Sequence, residues 1–253
     1  MTPELVPESP YIWRARRPDP ARRLICFPHA GAGAATYADW VRLVPPDIEL
    51  VAVQLPGRQN RIAEDPFTEV PPLVTALTHA LRPELDRPVA FFGHSCGAQL
   101  AHELARALHA RGRRLPEHLF LSALPAPGTA GIPLLHDLTE DEFHDEVIRL
   151  GGGSAEIAAD ETVMEALLPL LRTDFALWER HPSRPGPPLP CPVTVLCGAA
   201  DPRVPLDSLP AWAAHTTGGF ATHVFPGGHF YFLDDPAGTV GTVVAAMLEG
   251  SRT

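Results

Sequence analysis

The chain has 253 residues, enough for one large domain or a domain with an insertion, and 45% of them are hydrophobic, enough for a sizeable core. Its formal net charge of −10 argues against nucleic acid or an anionic membrane as the main partner. All 20 basic residues are arginine, which excludes Schiff-base lysine and P-loop chemistry.

Residues 1–20 read as an extended arm anchored by Tyr11-Ile12-Trp13, and their proline and arginine content does not make a signal peptide. Leu24–Phe27 is the first predicted strand and Glu49–Gln54 the second. Leu73, Leu77 and Leu81 then share one face of a helix. The short apolar run Val89–Phe92 predicts a third strand and leads into Gly93-His94-Ser95-Cys96-Gly97. Leu100, Leu104 and Leu108 line the helix that follows, and His118–Ser122 is the fourth strand. Val193–Cys197 and Thr222–Phe225 are the last two strands, and a helix from Ala237 to Leu248 closes the chain. Short apolar strands alternating with helices predict a mostly parallel, doubly wound α/β sheet.

One stretch breaks the alternation. About 70 residues separate the fourth and fifth strands, too many for an ordinary connection. Thr139-Glu140-Asp141-Glu142 is a capping box, with Phe143, Val147 and Leu150 on one face behind it and Gly151-Gly152-Gly153 as the stop. A second helical pattern runs from Asp160 through Val163, Leu167, Leu170, Leu171 and Phe175, and Pro169 should kink or restart it. Pro182–Pro192 reads as a stiff return linker. The expected organisation is an arm (1–20), a core (21–124 and 186–253) and a helical lid insertion (125–185).

Strand, Gly-x-Ser-x-Gly and helix together make the setting of a nucleophile elbow at Ser95. A side chain at Gly93 or Gly97 would strike the neighbouring backbone. Serine needs a general base, and in this arrangement the acid and then the histidine follow it along the chain. Of 12 histidines, His229 is the best placed, on the loop that leaves the last strand. His94 should point away from the hydroxyl, and His102 and His109 lie on the helix behind it. Asp201 follows the preceding strand and would hold the imidazole tautomer. Asp174, Asp207 and Asp234 are its rivals, with Asp234 and Asp235 suited to capping the final helix. Two backbone N–H groups should meet the developing oxyanion. Cys96, directly after the serine, and Ala30, in the loop after the first core strand, are the candidates. That loop lacks the third spaced glycine and the acidic ribose ligand of a dinucleotide site. Cys26, Cys96, Cys191 and Cys197 have neither zinc nor disulfide spacing and read as small buried hydrophobes in a reducing compartment.

With those residues in place the chain resembles the stand-alone type II thioesterases of polyketide and nonribosomal peptide biosynthesis, from about Arg22 to Leu248. The resemblance rests on Phe27-Pro28-His29-Ala30-Gly31, Gln54-Leu55-Pro56-Gly57-Arg58, Gly93-His94-Ser95, Leu171-Arg172 with Asp174-Phe175, and Gly227-Gly228-His229-Phe230. It implies an α/β-hydrolase fold with a flexible lid, a Ser95–His229–Asp201 triad, and Ala30 and Cys96 as oxyanion donors. It also implies hydrolysis of acyl groups from the phosphopantetheine arm of acyl or peptidyl carrier proteins. Cys96 stands where the family usually has methionine, Gln59 where it often has glutamate, and Ala123-Leu124 where Gly-Arg commonly precedes Ala-Pro. These departures bear on acyl preference.

The expectations are then a cytoplasmic monomer with no metal and no cofactor of its own, the phosphopantetheine arriving with the substrate, and with no nucleic-acid or membrane partner. Two alternatives use the same scaffold: an acyltransferase or release cyclase, and a non-catalytic binding protein. Carrier proteins are themselves acidic, so docking would need a local basic patch, for which Arg58, Arg61 and Arg172 are the candidates.

Overall fold

The computed structural model describes residues 3–151, 161–181 and 186–249. Gly152, Gly153 and Asp160, and residues 182–185 of the return linker, lie outside the described residues. The strands are β1 (Val6–Ser9), β2 (Ile12–Ala15), β3 (Arg22–Phe27), β4 (Ile48–Val53), β5 (Val89–His94), β6 (His118–Ser122), β7 (Val193–Gly198) and β8 (Phe220–Phe225). They form one sheet in the order β1-β2-β4-β3-β5-β6-β7-β8. Neighbours from β4 through β8 are parallel, while β1, β2 and β4 pair antiparallel.

The first 20 residues are therefore more than an extended arm. Ile12 to Ala15 pair with Val53 to Leu50, and β1 folds back over β2. The hairpin covers the open edge of β4, whose N–H and C=O groups would otherwise lack partners. Pro7 hides it from sequence reading, since proline argues against a central strand but is tolerated on the outermost one. At the other edge β8 is largely exposed, unlike the strands buried on both faces that the apolar runs predict.

Along β3, Ile25 and Phe27 face one side and Leu24 and Cys26 the other, and all four are fully buried. The first face packs on helices α1 (Val70–Ala80) and α2 (Cys96–Ala110) through Leu73, Leu77, Leu100, Leu104 and Leu108. The second packs on α5 (Pro236–Glu249) through Val240 and Val243.

Between β6 and β7 stand α3 (Glu140–Arg149) and α4 (Glu161–Glu179). The capping box forms: Thr139 N–H donates to Glu142 Oε2 at 3.0 Å, and Glu142 N–H donates to Thr139 Oγ1 at 3.4 Å. Phe143, Val147, Leu150, Met164 and Phe175 make a third apolar cluster that takes in Ala30 of the core. Pro169 does not interrupt α4. Pro169 and Glu165, whose carbonyl loses its intrahelical donor, are both exposed, so water can supply the missing bond.

The chain passes from β3 to β4 on one side and then returns to β5 on the other. The loops leaving β3 and β5 diverge there and open a crevice at the carboxyl end of the sheet.

Candidate active site

Ser95 occupies the sharp turn between β5 and α2 with φ 54° and ψ −120°, a conformation strained for any residue but glycine. Neighbouring bonds hold it there. Ser95 N–H donates to the Ser122 carbonyl at 2.8 Å, and the Ser95 carbonyl accepts from Ala98 N–H at 2.9 Å. The two flanking glycines are required by close approach. A Cβ on Gly97 would strike the Phe27 and Pro28 carbonyl oxygens, and one on Gly93 the Gly97 carbonyl.

His229 sits on the loop after β8. Its Nδ1 lies 2.8 Å from Asp201 Oδ2, and the two side chains are 4% and 0% exposed. A carboxylate can only accept, so Nδ1 carries the proton and Nε2 is left basic. The other oxygen, Asp201 Oδ1, accepts from Arg203 N–H at 2.9 Å. Ser95 and His229 share the walls of two cavities. One, of about 450 Å³, is lined by Val147, Leu150, Leu167, Leu170, Leu171 and Phe175 from α3, its C-terminal end and α4. The other, of about 230 Å³, carries polar groups including Gln99, Glu103, Glu179 and Arg203.

Ala30 lines the larger cavity. Cys96 opens α2, so its N–H has no carbonyl one turn back to bond to. Burial pushes the Cys96 thiol up to about 12, which keeps it protonated. All four cysteines are free, and burial also raises the other three.

The competing groups have other partners. His94 Nδ1 lies 2.8 Å from Ser122 Oγ, which lies 2.6 Å from the Tyr231 hydroxyl. Burial takes His94 well below the ordinary histidine value and His29 down to about 4. Both rings stay neutral, so neither repels the positive charge that His229 would take up. His102 is buried against Trp212 and brought down to about 3 by burial. Asp207 and Asp234 are exposed, and Asp235 accepts from Gly238 N–H at 2.8 Å at the start of α5.

The three arginines expected to meet a carrier protein are structural. Arg58 is 3% exposed and forms a two-pronged pair with Asp174 at 2.6 and 3.0 Å. Arg61 pairs with Glu64 and donates to the Pro10 carbonyl at 3.0 Å, tying down the N-terminal hairpin. Arg172 donates to the carbonyls of His136 and Leu138 and lies over the Phe143 ring. Each guanidinium is already engaged by carbonyls or a carboxylate, or by both. Sequence reading missed the Arg58–Asp174 pair because 116 residues separate its members.

Comparison with known proteins gives a consistent family. The thioesterase domain model matches residues 22–247. Thioesterase PikA5 of Streptomyces venezuelae is 38% identical over 218 residues, covering 86% of this chain and 78% of that protein. Gramicidin S biosynthesis protein GrsT of Aneurinibacillus migulanus is 36% identical over 216 residues, covering 84% of this chain and 83% of that one. The solved structure of the type II thioesterase BorB from the borrelidin biosynthetic cluster superposes with a TM-score of 0.86 at 38% identity, covering 96% of this chain and 99% of BorB.

Proposed function

The chain belongs to the thioesterase family and is a thioester-cleaving enzyme, and we propose that Ser95, His229 and Asp201 cleave acyl groups from the phosphopantetheine arm of a carrier protein. The contact between His229 Nδ1 and Asp201 Oδ2 carries this reading, because it leaves Nε2 basic on a wall shared with Ser95.

Ser95 Oγ attacks the thioester carbon while His229 Nε2 takes the hydroxyl proton. The carbonyl oxygen becomes an oxyanion facing the N–H groups of Ala30 and Cys96. The tetrahedral intermediate collapses, the C–S bond breaks, and His229 returns the proton to the departing thiol. Water then attacks the acyl-serine by the same route and releases a free acid. The apolar cavity under α3 and α4 suits the acyl chain. The smaller cavity, with its amide and charged groups, suits the amide-bearing arm.

Products and partners decide the proposal. Purified enzyme should convert acyl-carrier proteins to free acid and holo-carrier, read by mass, with higher kcat/KM than on matching acyl-pantetheine mimics. An ester or amide product would make it a transferase. Equal kcat/KM on carrier-bound and free thioesters would overturn the carrier-protein part.

A further inference from the structure

The peptide that joins Ala30 to Gly31 is held at both of its polar ends. Its carbonyl oxygen lies 3.0 Å from His29 Nδ1. Its N–H, on Gly31, donates to Asp174 Oδ2 at 2.8 Å. Asp174 belongs to α4, yet it is fastened to the core: Oδ2 also accepts from Arg58 NH1 at 2.6 Å, and Oδ1 accepts from Arg58 NH2 at 3.0 Å. Arg58 in turn is locked in place, since its Nε donates to the Pro56 carbonyl at 3.1 Å. A single carboxylate therefore joins the lid helix, the loop after β4 and the loop after β3.

Two further contacts make this more than a general ion pair. Gly31 has φ +71°, a left-handed conformation, and a Cβ there would meet Leu171 Cδ2 at 2.7 Å. The loop is thus pressed against α4 as well as bonded to it. Next along the loop, Ala34 N–H donates to Gln54 Oε1 at 2.7 Å, and Gln54 Nε2 donates to the Arg58 carbonyl at 3.0 Å. Asp174 is also flanked on α4 by Leu170, Leu171 and Phe175, which line the apolar cavity. Whatever fills that cavity leans on the residues that seat the carboxylate.

We propose that Arg58 and Asp174 are positioning residues for the reaction: through the Gly31 N–H they orient the Ala30 amide toward the oxyanion, and they make that orientation conditional on α4 being seated. A fixed Ala30–Gly31 peptide leaves only rotation about the Ala30 backbone to aim its own N–H. Oxyanion stabilisation depends on donors that are already in place when charge develops. Unseating α4 would free the peptide and switch the donor off, so hydrolysis would be confined to the closed lid.

This inference rests on Ala30 serving as an oxyanion donor, and the test separates the two claims. The probe is a trifluoromethyl ketone analogue of an acyl-pantetheine. Ser95 Oγ adds to its carbonyl carbon, the serine proton passes to His229, and the oxygen becomes an oxyanion that reads the donors directly. Wild-type enzyme should bind it far more tightly than Ser95→Ala; equal binding would sink the active-site reading itself. Arg58→Met/Asp174→Leu removes both buried charges together, and with them the acceptor for the Gly31 N–H, whereas either change alone strands a charge. With a cooperative melt retained, the double variant should lose about 100-fold in kcat, as misplacement by about 1 Å can. KM should stay within threefold, and inhibitor affinity should weaken by the same factor as kcat. Arg58→Lys keeps the charge and loses one prong, so a smaller loss of the same pattern is expected. It carries the test if the charge-free pair does not fold. Folded variants with a lowered Tm but wild-type kcat and wild-type inhibitor affinity would show that the pair only holds the fold together, and would overturn the proposal.

Discussion

The two ends of the sheet put buried polar groups to different uses. At the amino ends of β3, β4 and β5, Arg14 meets Glu8, Glu49 and Glu84 at 2.5 to 2.6 Å, and Arg23 meets Glu49 at 3.1 Å and also reaches Asp86. Arg14, Arg23, Glu49 and Glu84 thus form one cross-linked set of opposite charges, while the Nε atoms of Arg17, Arg22 and Arg87 beside them are buried without a hydrogen-bond partner. At the carboxyl ends, Ser95 is strained, His94 Nε2 is buried without a partner, and His29 and His94 are held neutral by burial. The charge network ties the strands of the base together. At the top the Arg58–Asp174 pair does the same for one loop, but beside it Ser95 and His229 face a cavity, as the proposed nucleophile and base would have to. The contrast predicts that changes at the proposed triad alter rate while sparing or even raising stability, and that changes at the base do the reverse.

The largest effects should fall on the proposed triad. Asp201→Asn leaves His229 Nδ1 facing a neutral amide that can hold the wrong tautomer, so kcat should drop by about 10³- to 10⁴-fold. Asp234→Asn, an exposed change outside the constellation, should cost less than about twofold in steady-state kinetics. The reverse ranking would move the acid to Asp234.

Next is the base. Glu49→Gln should destabilise the fold by about 3–5 kcal/mol, because Arg14 and Arg23 lose a buried partner. Below the lowered Tm, kcat should hold. Burial opposes ionisation of Glu49, but hydrogen bonds from Arg23 and Arg14 outweigh it and bring its pKa below the ordinary glutamate value of 4.5. A folded pKa below the unfolded one gives stability that is complete above about pH 4.5 and lost as pH falls through the folded pKa. Wild-type Tm should therefore fall on acidification through that window, and Glu49→Gln should show a flatter dependence. Parallel curves would mean that Glu49 contributes nothing to acid sensitivity.

The smallest stability change has the most informative sign. Ser95→Gly should abolish turnover and raise stability by about 1 kcal/mol, because glycine adopts φ 54° and ψ −120° without strain. A chemical melt with an unchanged or lower midpoint would show that the elbow stores no strain.

Much of the site was legible in the sequence because its signals are local. Gly93 and Gly97 bracket the serine, and Pro226-Gly227-Gly228 releases His229 from a strand. The strand–helix alternation also foretold the doubly wound sheet, and the order of its elements placed Ser95, Asp201 and His229 on loops at one end of it. Tertiary structure alone decided the rest. The N-terminal hairpin needs the open edge of β4 to become strand. Arg58, a candidate in sequence for a basic docking patch, is buried against Asp174. A guanidinium's role depends on whether a carboxylate waits within about 3 Å of it, and when that carboxylate lies on α4, 116 residues away, only the folded chain brings the two together.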